Sequence, residues 1–227
     1  MASMRKIYGS IKYMTDAAHH ATGFHEHADR ALELLRMTVE MLDANSIRHC
    51  LISGTLLGHV RHDDFIPWDD DIDLLVDSSI LDKIPSLLKN KQLVFLRFKN
   101  DMMKVCFRHN PITIIKHVHR EKLLDPSDHY SWPFVDLFII HEASNEELLF
   151  FKRKWPKETI LPFVPAVFRR TLPCYVPRDT HYFLTENFGG DYMTNFKPSI
   201  YDHRNERRIP GFIPRPRASS QEPSSKA

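Results

Sequence analysis

Apolar residues at 28, 31, 32, 35, 39 and 42 recur at helical spacing, and Asp29, Arg30, Glu33, Arg36, Glu40 and Asp43 fill the opposite face. That pattern predicts an amphipathic helix, with Asn45 at its end. The period then changes. A short apolar run at 49–53 reads as a strand, Gly54-Thr55 follows, and 56–61 suits a short helix. A strand is predicted over 72–76. Ser78 and Ser79 look like caps for a helix over 80–89, although Pro85 interrupts it. Runs at 93–98, 104–107, 112–118 and 134–140 have strand composition. Ser144 and Glu147 have capping-box spacing and predict a helix over 145–154. Dense prolines between 156 and 177 predict loops and short irregular pieces. A last helix, 178–188, stops at Gly189-Gly190. Helices and strands are thus interspersed, which implies an α+β domain built on one short mixed sheet with flanking helices.

Three segments follow from this pattern: an N-terminal extension (1–25), a folded body (26–208) and a tail (209–227). The tail's Pro-Arg repeats and ASSQEPSSKA end cannot bury enough to fold, so disorder is expected there. A formal charge of +2 gives no electrostatic footprint for DNA. No apolar run is long enough to span a bilayer, and MASMRKIYGS lacks a signal peptide's apolar core. Three scattered cysteines, Cys50, Cys106 and Cys174, read as reduced core thiols. These features point to a cytoplasmic protein without a membrane span.

The charge pattern of 63–82 changes the picture. It holds eight aspartates and no Lys or Arg. Asp69, Asp71 and Asp73 match the first ligand positions of an EF-hand loop, but Leu74 and Ile80 stand where that loop needs Gly and Glu, so a calcium loop is rejected. A solvated acidic loop is the plain alternative. Against it, acid and aliphatic residues alternate through Asp71-Ile72-Asp73-Leu74, which in a strand puts both carboxylates on one face. Two such carboxylates repel unless a cation lies between them or one is protonated. Oxygen-only ligands favour Mg2+ or Mn2+. Asp136, the charged residue inside the apolar run 134–140, is the candidate third acid, because a buried carboxylate needs a partner.

These residues carry a resemblance. The run Gly54-Thr55-Leu56-Leu57-Gly58-x-x-Arg61-His62-x-x-Phe65-Ile66-Pro67-Trp68-Asp69-Asp70-Asp71-Ile72-Asp73 resembles the signature of the LicD/fukutin family, within the nucleotidyltransferase-fold (DNA polymerase beta-like) superfamily. Phe134-Val135-Asp136-Leu137-Phe138 resembles that family's later aromatic-x-Asp-x-Phe strand. Cys174-Tyr175-Val176-Pro177 and Asn187-Phe188-Gly189-Gly190-Asp191-Tyr192-Met193 are similar to its C-terminal block. The likeness covers roughly 28–195. His59, Asp64 and Ile139 depart from the usual pattern and bear on loop shape and substrate choice.

The resemblance implies a metal-dependent transferase. It would move a phosphorylated small alcohol, phosphocholine or a polyol phosphate such as ribitol phosphate, from a CDP-activated donor to an acceptor hydroxyl, often on a glycan, releasing CMP. Asp71, Asp73 and Asp136 would be catalytic metal ligands and Asp69 a further one, with Asp70 the less certain neighbour. Arg61 is the first choice for gripping the donor phosphate, since a guanidinium binds phosphate bidentately. His62 would bond phosphate or hold the aspartate loop. Gly54-Thr55 would let backbone N–H groups approach phosphate, and Lys104 would reach the donor from a neighbouring strand, the alternative being an ordinary exposed strand lysine. Rival readings are a nucleotidyltransferase using an NTP on RNA or a small molecule, and a non-catalytic member of the fold. Tyr130, Trp132, Tyr175 and Tyr192 could box a quaternary ammonium. The pairs His19-His20, His25-x-His27 and His117-x-His119 read as solvated or capping residues rather than a zinc site.

Overall fold

The computed structural model describes residues 22–99, 101–110, 122–195 and 201–209. Helix α1 (Ala28–Ala44) buries Ala31, Leu34, Leu35, Thr38, Val39, Met41 and Leu42, a broader stripe than the spacing alone implied, and the Asn45 side chain closes it by donating to the Met41 carbonyl at 2.8 Å. Strand β1 (His49–Leu51) leads into α2 (Ser53–His62), then β2 (Ile72–Asp77) and α3 (Ile80–Leu87). Neither serine caps α3; the Asp77 carboxylate does so, accepting the Ser79 N–H at 3.0 Å. Strands β3 (Leu93–Lys99), β4 (Met102–Phe107) and β5 (Phe134–Glu142) complete the central sheet. The strand expected over 112–118, with His117 and His119, lies outside the described residues, as do His19-His20 and most of the tail.

The sheet runs β1-β2-β5-β4-β3. Strands β2 and β5 are parallel, and the other neighbours in this order are antiparallel. This is the mixed sheet expected from the sequence. The buried core includes Leu74, Val76, Val135, Leu137 and Ile139 from the two central strands.

Two sequence expectations fail. The stretch 145–154 is no helix but a hairpin, β6 (Glu147–Phe150) and β7 (Arg153–Pro156), turning through Phe151 and Lys152 at φ 54° and 58°. Alternation decides it: Leu148 and Phe150 face inward while Leu149 faces out, and β6 pairs with the far end of β5. Phe150 stacks on Trp155 at 5.1 Å, and Trp155 stacks on Phe183 of α5 (Thr180–Phe188) at 4.9 Å. That packing outweighs a local capping signal worth about 1 kcal/mol. The proline-dense stretch is also more regular than expected. After the turn α4 (Lys157–Ile160), β8 (Val164–Phe168) and β9 (Leu172–Val176) form a second hairpin. Its prolines are tolerated because a two-stranded ribbon has only edges.

The packed body starts earlier than residue 26. Phe24 is 2% exposed, between the rings of Phe65 and Trp132, and the Thr22 hydroxyl donates to the Trp68 carbonyl. It also extends through a small hairpin, β10 (Tyr201–Asp202) and β11 (Arg207–Arg208). Cys50, Cys106 and Cys174 are buried free thiols. No helix among the described residues is long and apolar enough to cross a membrane.

Candidate active site

Sheet register builds the site. Asp73 of β2 lies opposite Asp136 of β5, and Asp136 lies opposite Lys104 of β4, so the three form one row across adjacent strands. Partners in a row share a face, and Asp71, two residues before Asp73, joins them. One oxygen each from Asp71, Asp73 and Asp136 lies within 4.8 Å of the others. It is the one such group of three or more potential metal-binding side chains among the described residues.

Asp73 is fixed from two sides. Its backbone N–H donates to the Thr55 hydroxyl at 2.8 Å, and the Gly54 N–H bonds its carboxylate. Of the backbone N–H groups expected to approach phosphate, that of Gly54 is thus engaged on Asp73. Gly54 has a second reason to lack a side chain, because a Cβ there would sit 2.1 Å from Asp69 Oδ2. Gly58 is similarly confined, with the Asp64 carbonyl 2.5 Å from a Cβ position. The acidic loop can therefore fold back onto α2 only where α2 carries glycine.

The electrostatics are those of crowded, desolvated acids. Burial pushes the Asp73 carboxyl well above the usual range, and the charges of Asp71 and Asp136 push it further, while Lys104 and the Gly54 N–H oppose. Burial also raises Asp136, with Lys104 opposing and Asp71 adding. Asp69 is raised well above its ordinary value by burial and then by Asp71 and Asp73, and it shares a hydrogen bond with Asp71. Asp70 is pushed up to about 6, chiefly by burial. The Lys104 ammonium lies 2.6 Å from Asp136 Oδ1 and 3.7 Å from the centre of the Phe134 ring, with both ionic side chains 7% exposed. Lys104 is therefore built into the acid row.

Arg61 and His62 sit beside the cluster. Arg61 Nε donates to His62 Nε2 at 2.9 Å and its Nη1 donates to the Tyr192 carbonyl at 3.1 Å, while Asp69 acts on its charge. Burial and the Arg61 charge push the His62 imidazole down to about 4, so it is a neutral acceptor at pH 7. Its ring meets Trp68 edge-on at 6.2 Å, which suits the loop-holding role. The aromatics weighed as an ammonium box separate: Trp132 is fully buried and donates to the Asp70 carbonyl, Tyr175 packs against His49, and Tyr192 contacts His181. Among the departures, Asp64 accepts the Phe65 N–H and pairs with Arg169.

Sequence reasoning missed the hairpin β10–β11. The Asp70 carboxylate Oδ2 accepts the backbone N–H groups of His203 and Arg204 at 2.9 and 3.1 Å. His203 Nε2 lies 3.3 Å from Asp71 Oδ2. The available signal was Asp202-x-x-Asn205, a turn pattern in which Asp202 accepts the Asn205 N–H.

The domain is thus a mixed sheet with flanking helices that carries an acid row at its centre. The family model for the LicD/FKTN/FKRP nucleotidyltransferase domain matches residues 46–179, more than half of the chain, and the chain belongs to that family. Curated relatives match over shorter stretches. The Rickettsia prowazekii protein RP689 is 50% identical over 42 residues, 18% of this chain and 16% of that protein. The human ribitol 5-phosphate transferase FKRP is 52% identical over 46 residues, 20% of this chain and 9% of that protein. Each match thus spans less than a fifth of the relative's own length. Among solved structures, a lincomycin-bound lincosamide antibiotic adenylyltransferase, LnuA, aligns over 63% of this chain and 78% of its own, with a TM-score of 0.39 and 11% identity.

Proposed function

We propose that the protein is a metal-dependent transferase that moves a phosphorylated small alcohol from a CDP-activated donor to an acceptor hydroxyl on a glycan. The observation that carries this reading is the convergence of Asp71, Asp73 and Asp136 oxygens within 4.8 Å on one face of the sheet of a LicD-family domain. The activity named for the human relative, ribitol 5-phosphate transfer, favours a polyol phosphate as cargo.

The residues fit a small divalent ion. Around an octahedral ion with bonds of about 2.1 Å, adjacent ligands lie about 3.0 Å apart and only opposite ones about 4.2 Å, so the three oxygens, now within 4.8 Å of one another, would close in to share one ion. All-oxygen donors suit Mg2+ or Mn2+. When bound, the ion would supply positive charge to phosphate oxygens that gain negative charge during transfer. The chain's own residues do the rest. Asp71, Asp73 and Asp136 would hold the ion, and Asp69 buttresses Asp71 through their shared hydrogen bond. Gly54 and Thr55 fix Asp73, and Lys104 orients Asp136. Arg61 supplies cationic charge beside the acidic loop, held by His62. The acceptor oxygen bonds to the transferred phosphorus, the bridging P–O bond breaks, and CMP departs. The acceptor's proton is lost to water.

The test is Mg2+-dependent turnover of CDP-choline and CDP-ribitol, read as CMP release, alongside a panel of NTPs read as pyrophosphate release. Wild type releases CMP, and Asp73→Asn loses at least about 1,000-fold, roughly 4 kcal/mol in the barrier, with the fold retained. Pyrophosphate release without CMP release would convert the protein to a nucleotidyltransferase. Equal turnover by both proteins would remove Asp73 from the chemistry.

A further inference from the structure

The adjacent aspartates before β2 do different work. Asp69 turns its carboxyl toward Gly54 and Asp71 joins the metal-binding cluster. Asp70 goes another way: it is 1% exposed and spends one carboxylate oxygen on two backbone N–H groups of the C-terminal hairpin. A carboxylate that bonds two main-chain donors grips a segment without regard to its side chains. The hairpin is stiffened from within, because Asp202 accepts the Asn205 N–H at 2.9 Å, the Asn205 amide and Arg207 Nε at 3.3 Å. It arrives over the acid row with the His203 ring edge-on to Phe134 at 5.8 Å, and Phe134 is the ring beneath the Lys104 ammonium. Arg204 lies over Trp132 at 5.2 Å, and the Trp132 indole in turn donates to the Asp70 carbonyl. The hairpin itself falls beyond residue 179, where the family match ends, while the residues that receive it lie inside the match.

We propose that β10–β11 is a strap belonging to the active site, anchored by Asp70, and that His203 is a positioning residue that fixes Asp71 for the metal. The inference rests on the metal-binding reading above. Asp71 precedes β2 and lacks the Gly54 and Thr55 bonds that immobilise Asp73. A carboxylate has two oxygens. His203 engages Oδ2 while Asp69 shares a hydrogen bond with the same carboxyl, and the two contacts together set the angle at which Asp71 meets a cation. Carboxylates that ligate metals depend on such outer partners, whose loss typically weakens metal affinity about 10- to 100-fold. Two consecutive acids are thereby put to separate uses. Asp70 brings the strap, and the strap holds Asp71.

The experiment measures Mn2+ affinity of the full chain by electron paramagnetic resonance, without substrate, for wild type, His203→Ala, His203→Gln, Asp70→Ala and Asp73→Asn. His203→Ala binds about tenfold more weakly. His203→Gln recovers to within about threefold, because its amide can still donate to Asp71. Asp70→Ala reproduces the alanine loss with His203 intact. The metal-free melting temperature of His203→Ala stays within about 3 °C of wild type, since the partly exposed contact contributes little to stability. Wild-type affinity in His203→Ala, or no recovery with glutamine, overturns the role of His203. Unchanged affinity in Asp70→Ala overturns the strap. If wild type and Asp73→Asn bind Mn2+ equally poorly, the metal reading itself falls and takes the strap's function with it.

Discussion

Two buried regions on one sheet could hardly differ more. At one place β2, β5 and β4 line up Asp73, Asp136 and Lys104 in a row. At the far end of β5 a hairpin stacks Phe150, Trp155 and Phe183. The aromatic stack removes apolar surface from water and stabilises the fold. The acid row concentrates like charges out of water, and the raised carboxyls of Asp73 and Asp136 record the strain. Neighbouring regions of one core can thus be built for opposite ends, stability in one and unsatisfied charge in the other.

Mutations sharpen that contrast. Trp155→Ala removes a fully buried ring and costs about 3–5 kcal/mol in chemical denaturation; a loss below about 1 kcal/mol would show that the stack is not a stabilising centre. Lys104→Met costs the metal-free protein about 3 kcal/mol, because Asp136 is left buried and uncompensated. Saturating Mg2+ recovers part of that loss, and no recovery would separate Asp136 from the ion. Asp73→Asn moves the other way, stabilising the metal-free protein by about 1 kcal/mol while abolishing turnover, since it deletes a repelling charge but keeps an acceptor for the Gly54 N–H. Destabilisation on removing Asp73's charge would show that the row is not frustrated.

The smallest effect is a pH dependence. Folded-state carboxyls raised above their unfolded values bind protons that the unfolded chain has released, so they favour the fold at low pH and lose that contribution as pH rises through the folded values, about 6 for Asp70. Buried His49 and half-buried His59 and His62 are lowered and tilt stability oppositely. Their share cancels when the same protein is compared with and without metal. Mg2+ must displace the carboxyl protons, so its stabilising shift in melting temperature is larger at pH 7.5 than at pH 5.5. A shift independent of pH would mean that the ion binds elsewhere.

The sequence made the acid row legible and the aromatic stack opaque, for a physical reason. Alternation at Asp71-Ile72-Asp73 and the isolated Asp136 are local statements about which face a side chain takes, and β-sheet register then brings them together. The stack depends on Phe183 meeting Trp155 from another element, which no local pattern records, and Ser144-x-x-Glu147 advertised a helix cap that tertiary packing overrode. There the Ser144 hydroxyl instead accepts the Glu146 N–H. Arg61 and Lys104 were legible as cations near the site, but not the engagement of Arg61 with His62 and Tyr192 or of Lys104 with Asp136. His203 was invisible because its meaning comes from Asp70, a contact across 133 residues.

Strand β5 enters the sheet between β2 and β4, both of which precede it in the chain. A ribosome that has not yet delivered Asp136 has released two separate strand pairs, β1–β2 and β3–β4, with bare edges and only two of the three clustered acids. Closure of the sheet and assembly of the acid cluster are therefore one event, which waits for β5.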